Sequence, residues 1–338
     1  LITAPVDIKS PLLYPTRTAK EQVYDQVVSD LLAAEKSGLP NTDQTGRTSL
    51  GAVHTLLSSV YLTMAGYPLQ KTENYAKAAA EAQQVLSLYT LFTDYAYLHD
   101  NAHKNQGELI FQSQYLVGVA TNSLPQLTVP FNLPVGAYGD HLGAMIPTDA
   151  FFNSYEAGDK RTEEQQFYFS KYPSSTDPTT IVTFGEHCLY KYFHVESSVT
   201  GTANSGKCDE NYTFLRLPEA MLTYAEAINE VNGPTADAYA QVNQIRARAN
   251  LAPLSGLSQD QFRQAIWKER YHELAYEGKA YFDIQRTHQI YDVKNNTFGD
   301  ATSTANEQAV TMKTQYYLWP IPQREIATNS KLTQNTGW

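Results

Sequence analysis

Glu269-Arg270-Tyr271-His272-Glu273-Leu274-Ala275-Tyr276-Glu277-Gly278, continuing through Phe282-Asp283 to Arg286, carries the most regular pattern in the chain. Glu269, Glu273 and Glu277 recur at every fourth residue. On an α-helix that spacing sets three carboxylates along one slowly drifting stripe. Phe262, Ile266, Leu274 and Phe282 supply apolar positions around it, and Gly278 is the residue expected to stop the helix. Like charges four residues apart repel each other, so the stripe must be paired, solvated or bound to a cation. Arg270, Lys268 and Arg286 are the nearest cations in sequence, with Asp283 a further carboxylate beside them. We read the stretch as a structural ion network. A catalytic reading needs two carboxylates facing a pocket. A metal reading needs histidines at ligand spacing. His272 directly before Glu273 makes no H-E-x-x-H, and no metal is expected.

Two other stretches belong with the first. Upstream stand Leu215-Arg216-Leu217-Pro218-Glu219-Ala220-Met221-Leu222, then Tyr224-Ala225-Glu226-Ala227, then Asn243-Gln244-Ile245-Arg246-Ala247-Arg248-Ala249. Downstream stand Leu318-Trp319-Pro320-Ile321-Pro322, Glu325-Ile326 and Gln334-Asn335-Thr336-Gly337. In this order they resemble the SusD/RagB family, whose C-terminal region carries E-R-x-x-E-L-x-x-E-G before F-D and R. The likeness is strong over residues 215–337 and reaches more weakly to about residue 18. Ala280 and Tyr271 stand where the family often has Arg, and Thr336 where it usually has Pro.

The resemblance implies a mainly α fold, with tetratricopeptide-like helix pairs packed against a loop-rich region with short strands. It implies a single domain over 1–338: scaffold at about 18–100 and 215–286, a loop-rich excursion at about 117–212, and an extended tail at 316–338. It also implies a cell-surface lipoprotein that binds oligosaccharides without catalysis and delivers them to a SusC-like TonB-dependent transporter of the outer membrane. The chain opens at Leu1 with no Met, signal peptide or lipobox cysteine. The membrane-anchoring lipid and part of the ligand site are therefore expected upstream of it. Some relatives take up oligopeptides instead. A glycoside hydrolase and a protein-binding scaffold are the readings from other classes.

Composition is consistent with this. Hydrophobic residues make up 42% and charged residues 18% of 338, a globular balance with room for a large core. A net charge of -10 argues against a nucleic-acid partner. No apolar run approaches the length of a membrane span. Tyrosine is abundant, 24 against 13 Phe, which suits wet recognition surfaces as well as packing.

Thr18-Ala19-Lys20-Glu21 predicts a capping box opening a helix whose inward face is Tyr24, Val27, Val28, Leu31 and Leu32. Thr48 opens a second helix that stops at Gly66 and Pro68, and a third runs over 73–88 with Ala78, Ala79 and Ala82 on one face. Alternation predicts a strand within Glu108–Tyr115, and short strands at Phe167/Phe169, Ile181/Thr183 and Leu189/Tyr190/Tyr192. Helices resume at Pro218 and again at Thr235, and Ser258-Gln259-Asp260-Gln261 caps the helix of the opening stretch. Residues 287–315 are polar and predict a long loop.

No G-x-S-x-G and no phosphate-binding glycine loop occurs, and no cofactor is expected. Gly136-Ala137-Tyr138-Gly139-Asp140-His141 is glycine-rich, but adjacent Asp140 and His141 rarely face one substrate. Recognition remains. Sugar C–H faces stack on exposed rings while hydroxyls bond to amides and carboxylates. Tyr138, Asp140, His141, Tyr172, Tyr192 and Phe193 are the candidate glycan contacts, with Tyr172 and Tyr192 first; ordinary packing is the alternative for each ring. Cys188 and Cys208 flank a Gly/Ser/Asn-rich loop, and in an exported protein they are expected to form a disulfide, two buried thiols being the alternative.

Overall fold

The computed structural model describes residues 1–116, 118–128, 130–135, 142–193 and 208–338. Helices α1 (Lys20–Glu35), α2 (Leu50–Ala65) and α3 (Asn74–Val85) come first, followed by strand β1 (Leu109–Ser113). The excursion holds two one-turn helices, α4 (Pro125–Thr128) and α5 (Asp149–Phe152), and strands β2 (Tyr168–Pro173) and β3 (Ile181–Leu189). Strand β4 (Tyr212–Arg216) runs straight into α6 (Leu217–Asn232), then α7 (Ala236–Arg248), α8 (Gln259–Glu273) and α9 (Ala280–Thr287). Strands β5 (Gln289–Asp292) and β6 (Thr297–Asp300) and helix α10 (Gln323–Thr328) complete the chain. The fold is mainly helical. Its strands pair antiparallel as β1 with β4, β2 with β3 and β5 with β6.

The scaffold follows from which helix faces are apolar and how small they are. Helix α1 lies on α2, α2 on α3, α3 on α6, and α6 on α7 and α8. Ala78, Ala79 and Ala82 are buried, so α3 fits closely between α2 and α6. Helix α6 is the axis: Ala220, Leu222, Ala225 and Ala227 are wholly buried, and Pro218 sits in its first turn where no donor is lost. Ser258 and Gln261 form both bonds of a capping box on α8, as their spacing predicts. Pairing of Leu109 with Arg216 places Glu108 and Arg216 together at the junction of β4 and α6.

Four local expectations are corrected. Thr18 does not cap α1: the helix begins at Lys20, so the cap position falls on Ala19, which makes no side-chain bond. Ser49, not Thr48, caps α2 by accepting from the Ala52 amide. Helix α8 ends at Glu273, and the chain turns through Tyr276 and Gly278, both with positive φ, before α9. Gly278 therefore closes that turn and not the helix. Residues 287–315 are no plain loop, because the β5–β6 hairpin lies within them. Asp292 accepts from the Lys294 and Asn295 amides at its turn, and Tyr291 is buried against Tyr271 and Phe298.

Candidate functional site

Each glutamate of the stripe is met by cations from distant segments. Glu273, wholly buried, accepts from Arg216 Nη1 and Arg248 Nη2, from Arg161 Nη1 at 3.2 Å and from the Tyr95 hydroxyl at 3.2 Å. Glu269 accepts from Arg161 at 2.7 Å and Arg246 at 3.3 Å. Glu277 takes Nε and Nη2 of Arg216, both at 2.8 Å, and Lys191 Nζ at 2.7 Å. Asp159 holds Arg161 through two parallel bonds, and Glu108 holds Arg216 and Arg248. Five carboxylates (Glu108, Asp159, Glu269, Glu273, Glu277) thus face five cations (Arg161, Lys191, Arg216, Arg246, Arg248).

The local cations serve elsewhere. Arg270 and Arg286 share Asp283, Arg286 also clamps Glu226, and Lys268 lies 4.0 Å from Glu156. Burial alone would raise the Glu273 carboxyl, but Arg248, Arg216 and Arg161 outweigh it and hold it down at about 2. Glu277 is likewise pulled to about 2 by Arg216 and Lys191 against its burial. Burial lowers Lys191 to about 8, with Glu277 opposing. These carboxylates stay ionised and saturated with donors, the opposite of a poised general acid.

The excursion is where the sequence placed the glycan contacts. Tyr138, Asp140 and His141 lie outside the described residues. Tyr192 is 1% exposed, packed on His99 and Tyr212, and Phe193 is 6% exposed against Phe169 and Tyr172. Neither offers a ring face to a sugar: a region with little regular structure needs these rings to build its own core. Tyr172 is half-buried on β2, beside Phe169. Phe131, which the sequence reading passed over, is 71% exposed; its signal is the Pro130-Phe131-Asn132 context, with Asn132 at positive φ.

The expected disulfide is not formed. Cys188 and Cys208 are buried free thiols. Cys188 sits on β3 opposite Phe169, while Cys208 pairs with Asn122 and its sulfur accepts from the Glu210 amide.

Two larger cavities lie on the scaffold. An apolar groove of about 780 Å³ runs between α1, α2, α9 and the tail, with Tyr24, Leu56, Phe282 and Leu318 in its walls. A polar crevice of about 500 Å³ is floored by the Glu226–Arg286 pair and edged by Tyr75, Arg263 and Trp267. Trp319 is 69% exposed. Among the described residues no group of three or more His, Cys, Asp or Glu could hold a metal ion, and no helix is long and apolar enough to cross a membrane.

Comparison with known proteins bears on what this architecture is. SusD-like protein P2 of Formosa agariphila is 28% identical over 356 residues, covering 95% of this chain and 65% of that protein. The chain thus spans a little under two thirds of that relative's length. The crystal structure of a SusD superfamily protein from Parabacteroides distasonis superposes with a TM-score of 0.91 at 36% identity, over 98% of this chain and 72% of that one. Surface glycan-binding protein A from Bacteroides thetaiotaomicron, solved with laminarihexaose, shares the fold at a TM-score of 0.73 and 21% identity, over 95% of this chain and 72% of that one. The sequence model of the SusD family matches residues 96–338, from ahead of β1 through the excursion and the ion network to the last residue. The chain belongs to the SusD family, whose members are non-catalytic binding proteins.

Proposed function

We propose that this chain captures oligosaccharides at the cell surface and hands them to a SusC-like TonB-dependent transporter, breaking no bond. Family membership over residues 96–338 is the observation that carries this reading. The neutralised network supports it, since five buried carboxylates saturated by five cations leave no acid–base pair among them. The exposed ring of Phe131 and the half-buried ring of Tyr172 on the excursion supply stacking faces. Retention at the membrane is assigned to an N-terminal lipid.

Calorimetry of the purified protein against neutral and charged oligosaccharides and against oligopeptides tests capture. Saccharide binding without turnover of a labelled chain is expected. Binding of peptides alone would replace the ligand class, and release of labelled sugar would make the protein a hydrolase. Delivery is tested by purification from outer membranes in mild detergent, where a large barrel protein is expected to co-elute. Elution alone would leave a free-standing binder.

A further inference from the structure

A smaller pocket, of about 240 Å³, lies where the excursion meets the C-terminal end of α8 and the segment after β6. Phe151, Tyr271 and Tyr276 wall it, and Thr148, Ile146 and Glu307 complete it. Pockets for drug-sized ligands run to about 300–1,000 Å³, so this one holds a single ring-sized unit.

Four observations give the pocket its chemistry. First, the rings stand edge to face about Phe151, at 5.4 Å to Tyr271 and 6.2 Å to Tyr276, which fixes the walls. Secondly, the Tyr271 and Tyr276 hydroxyls have no protein hydrogen-bond partner among the described residues, although both rings are half-buried. Thirdly, Glu307 is the charged group of the lining, and the Thr148 hydroxyl donates to it. Both phenols are raised by their burial and then by Glu307, which places the carboxylate near both. Fourthly, Tyr276 is held at φ +64°, a backbone region costly for a bulky residue, so its ring is presented by the surrounding turn and not by local preference.

We infer that this pocket is a saccharide subsite that takes one neutral hexopyranose ring. The inference rests on the glycan-capture reading and deepens it. A carboxylate accepts two neighbouring sugar hydroxyls, two free phenols exchange further bonds, the Thr148 hydroxyl holds the carboxylate in place, and the rings cover a C–H face. The negative lining disfavours uronates and other anionic sugars. Aromatic walls with a carboxylate also suit an organic cation. A quaternary ammonium would, however, leave both phenol hydroxyls unsatisfied, so the polyol is the better fit.

The test is titration calorimetry of the wild-type protein and the Tyr276→Phe and Glu307→Gln variants. The probes are methyl hexopyranosides, methyl glucuronide, choline and any oligosaccharide the protein binds. Loss of one hydrogen bond to a sugar hydroxyl, from a phenol or to a carboxylate, is worth up to about tenfold in affinity. Both variants should therefore weaken methyl hexoside binding by up to about tenfold at unchanged melting temperature. Glucuronide should bind more weakly than the neutral sugar to wild type, and Glu307→Gln should narrow that gap. Equal binding by all three proteins, or preference for choline, overturns the subsite. Oligosaccharide binding that survives both variants overturns the subsite while leaving glycan capture standing. Absence of any saccharide binding to wild type overturns both.

Discussion

Lys191 Nζ lies 2.7 Å from Glu277 Oε1, and the pair ties the end of the excursion to the turn after α8. Lys191 is wholly buried, stands 3.6 Å from the Phe167 ring centroid, and also donates to the Ala275 carbonyl at 2.9 Å. The two ends of this bond are not equivalent. Glu277 has Arg216 as a second partner through two bonds, whereas Glu277 is the carboxylate that Lys191 reaches. Glu277→Ala strands buried cations and should cost about 3–5 kcal/mol. Lys191→Met leaves Glu277 held and should cost about 1–2 kcal/mol, the lost packing being partly replaced. Urea unfolding of both variants checks this; equal costs would mean the pair is not organised in this way.

Stability should fall with acid in two stages. His272 is buried and held well below its ordinary 6.5 by that burial and by Arg161, while Nε2 faces the Ser154 hydroxyl at 2.8 Å. A depressed folded-state value stabilises the protein above the unfolded value, and that contribution fades as pH drops below 6.5. Glu273 and Glu277, held at about 2 against an ordinary 4.5, keep their contribution above pH 4.5 and lose it on the way down to 2. Melting temperature should be flat between pH 8 and 6.5, decline gently below 6.5 and steeply below 4.5; above pH 8, where buried Lys191 loses its proton before the unfolded chain does, it should rise. His272→Gln should lessen the gentle stage and leave the steep one, because buried His99, held down at about 3 chiefly by its burial, contributes to the same stage. A variant that keeps that slope would assign it to other groups.

Tyr172 and Tyr192 should separate cleanly under substitution. Tyr192→Ala empties a core position and should cost about 3–5 kcal/mol. Tyr172→Ala removes a half-buried ring at the surface of the excursion. On the glycan-capture proposal it should weaken oligosaccharide binding about tenfold, while the melting temperature falls far less than in Tyr192→Ala. Intact affinity in Tyr172→Ala and in Phe131→Ala together would move the stacking faces off this part of the excursion.

The two cysteines should behave as inert thiols. Burial pushes Cys188 and Cys208 up to about 12, so neither is a thiolate at neutral pH. A thiol reagent should find none in the native protein and two per chain after denaturation without reductant. Two missing thiols in the denatured sample would show that oxidation joins them after all.

Periodicity made the scaffold legible. The α2, α3, α6, α7 and α8 segments follow from apolar spacing and their stop signals, and the Ser258–Gln261 capping box from four adjacent residues, because these patterns are written within one or two turns of chain. The ion network was legible in kind, as three carboxylates that had to be paired, but not in its partners. Arg161, Lys191, Arg216 and Arg248 lie 25 or more residues from the Glu273 and Glu277 they meet, and only packing of the excursion, the β4–α6 junction and α7 against α8 brings them there. Tyr172, Tyr192 and Phe193 look alike as aromatic residues in an irregular region. Which ring closes a core and which meets water depends on contacts with Phe169, His99 and Tyr212 from elsewhere in the chain. The Tyr271–Tyr276–Glu307 pocket left no trace in the primary structure for the same reason: Glu307 arrives from 31 residues beyond Tyr276, and no local rule carries information over that distance.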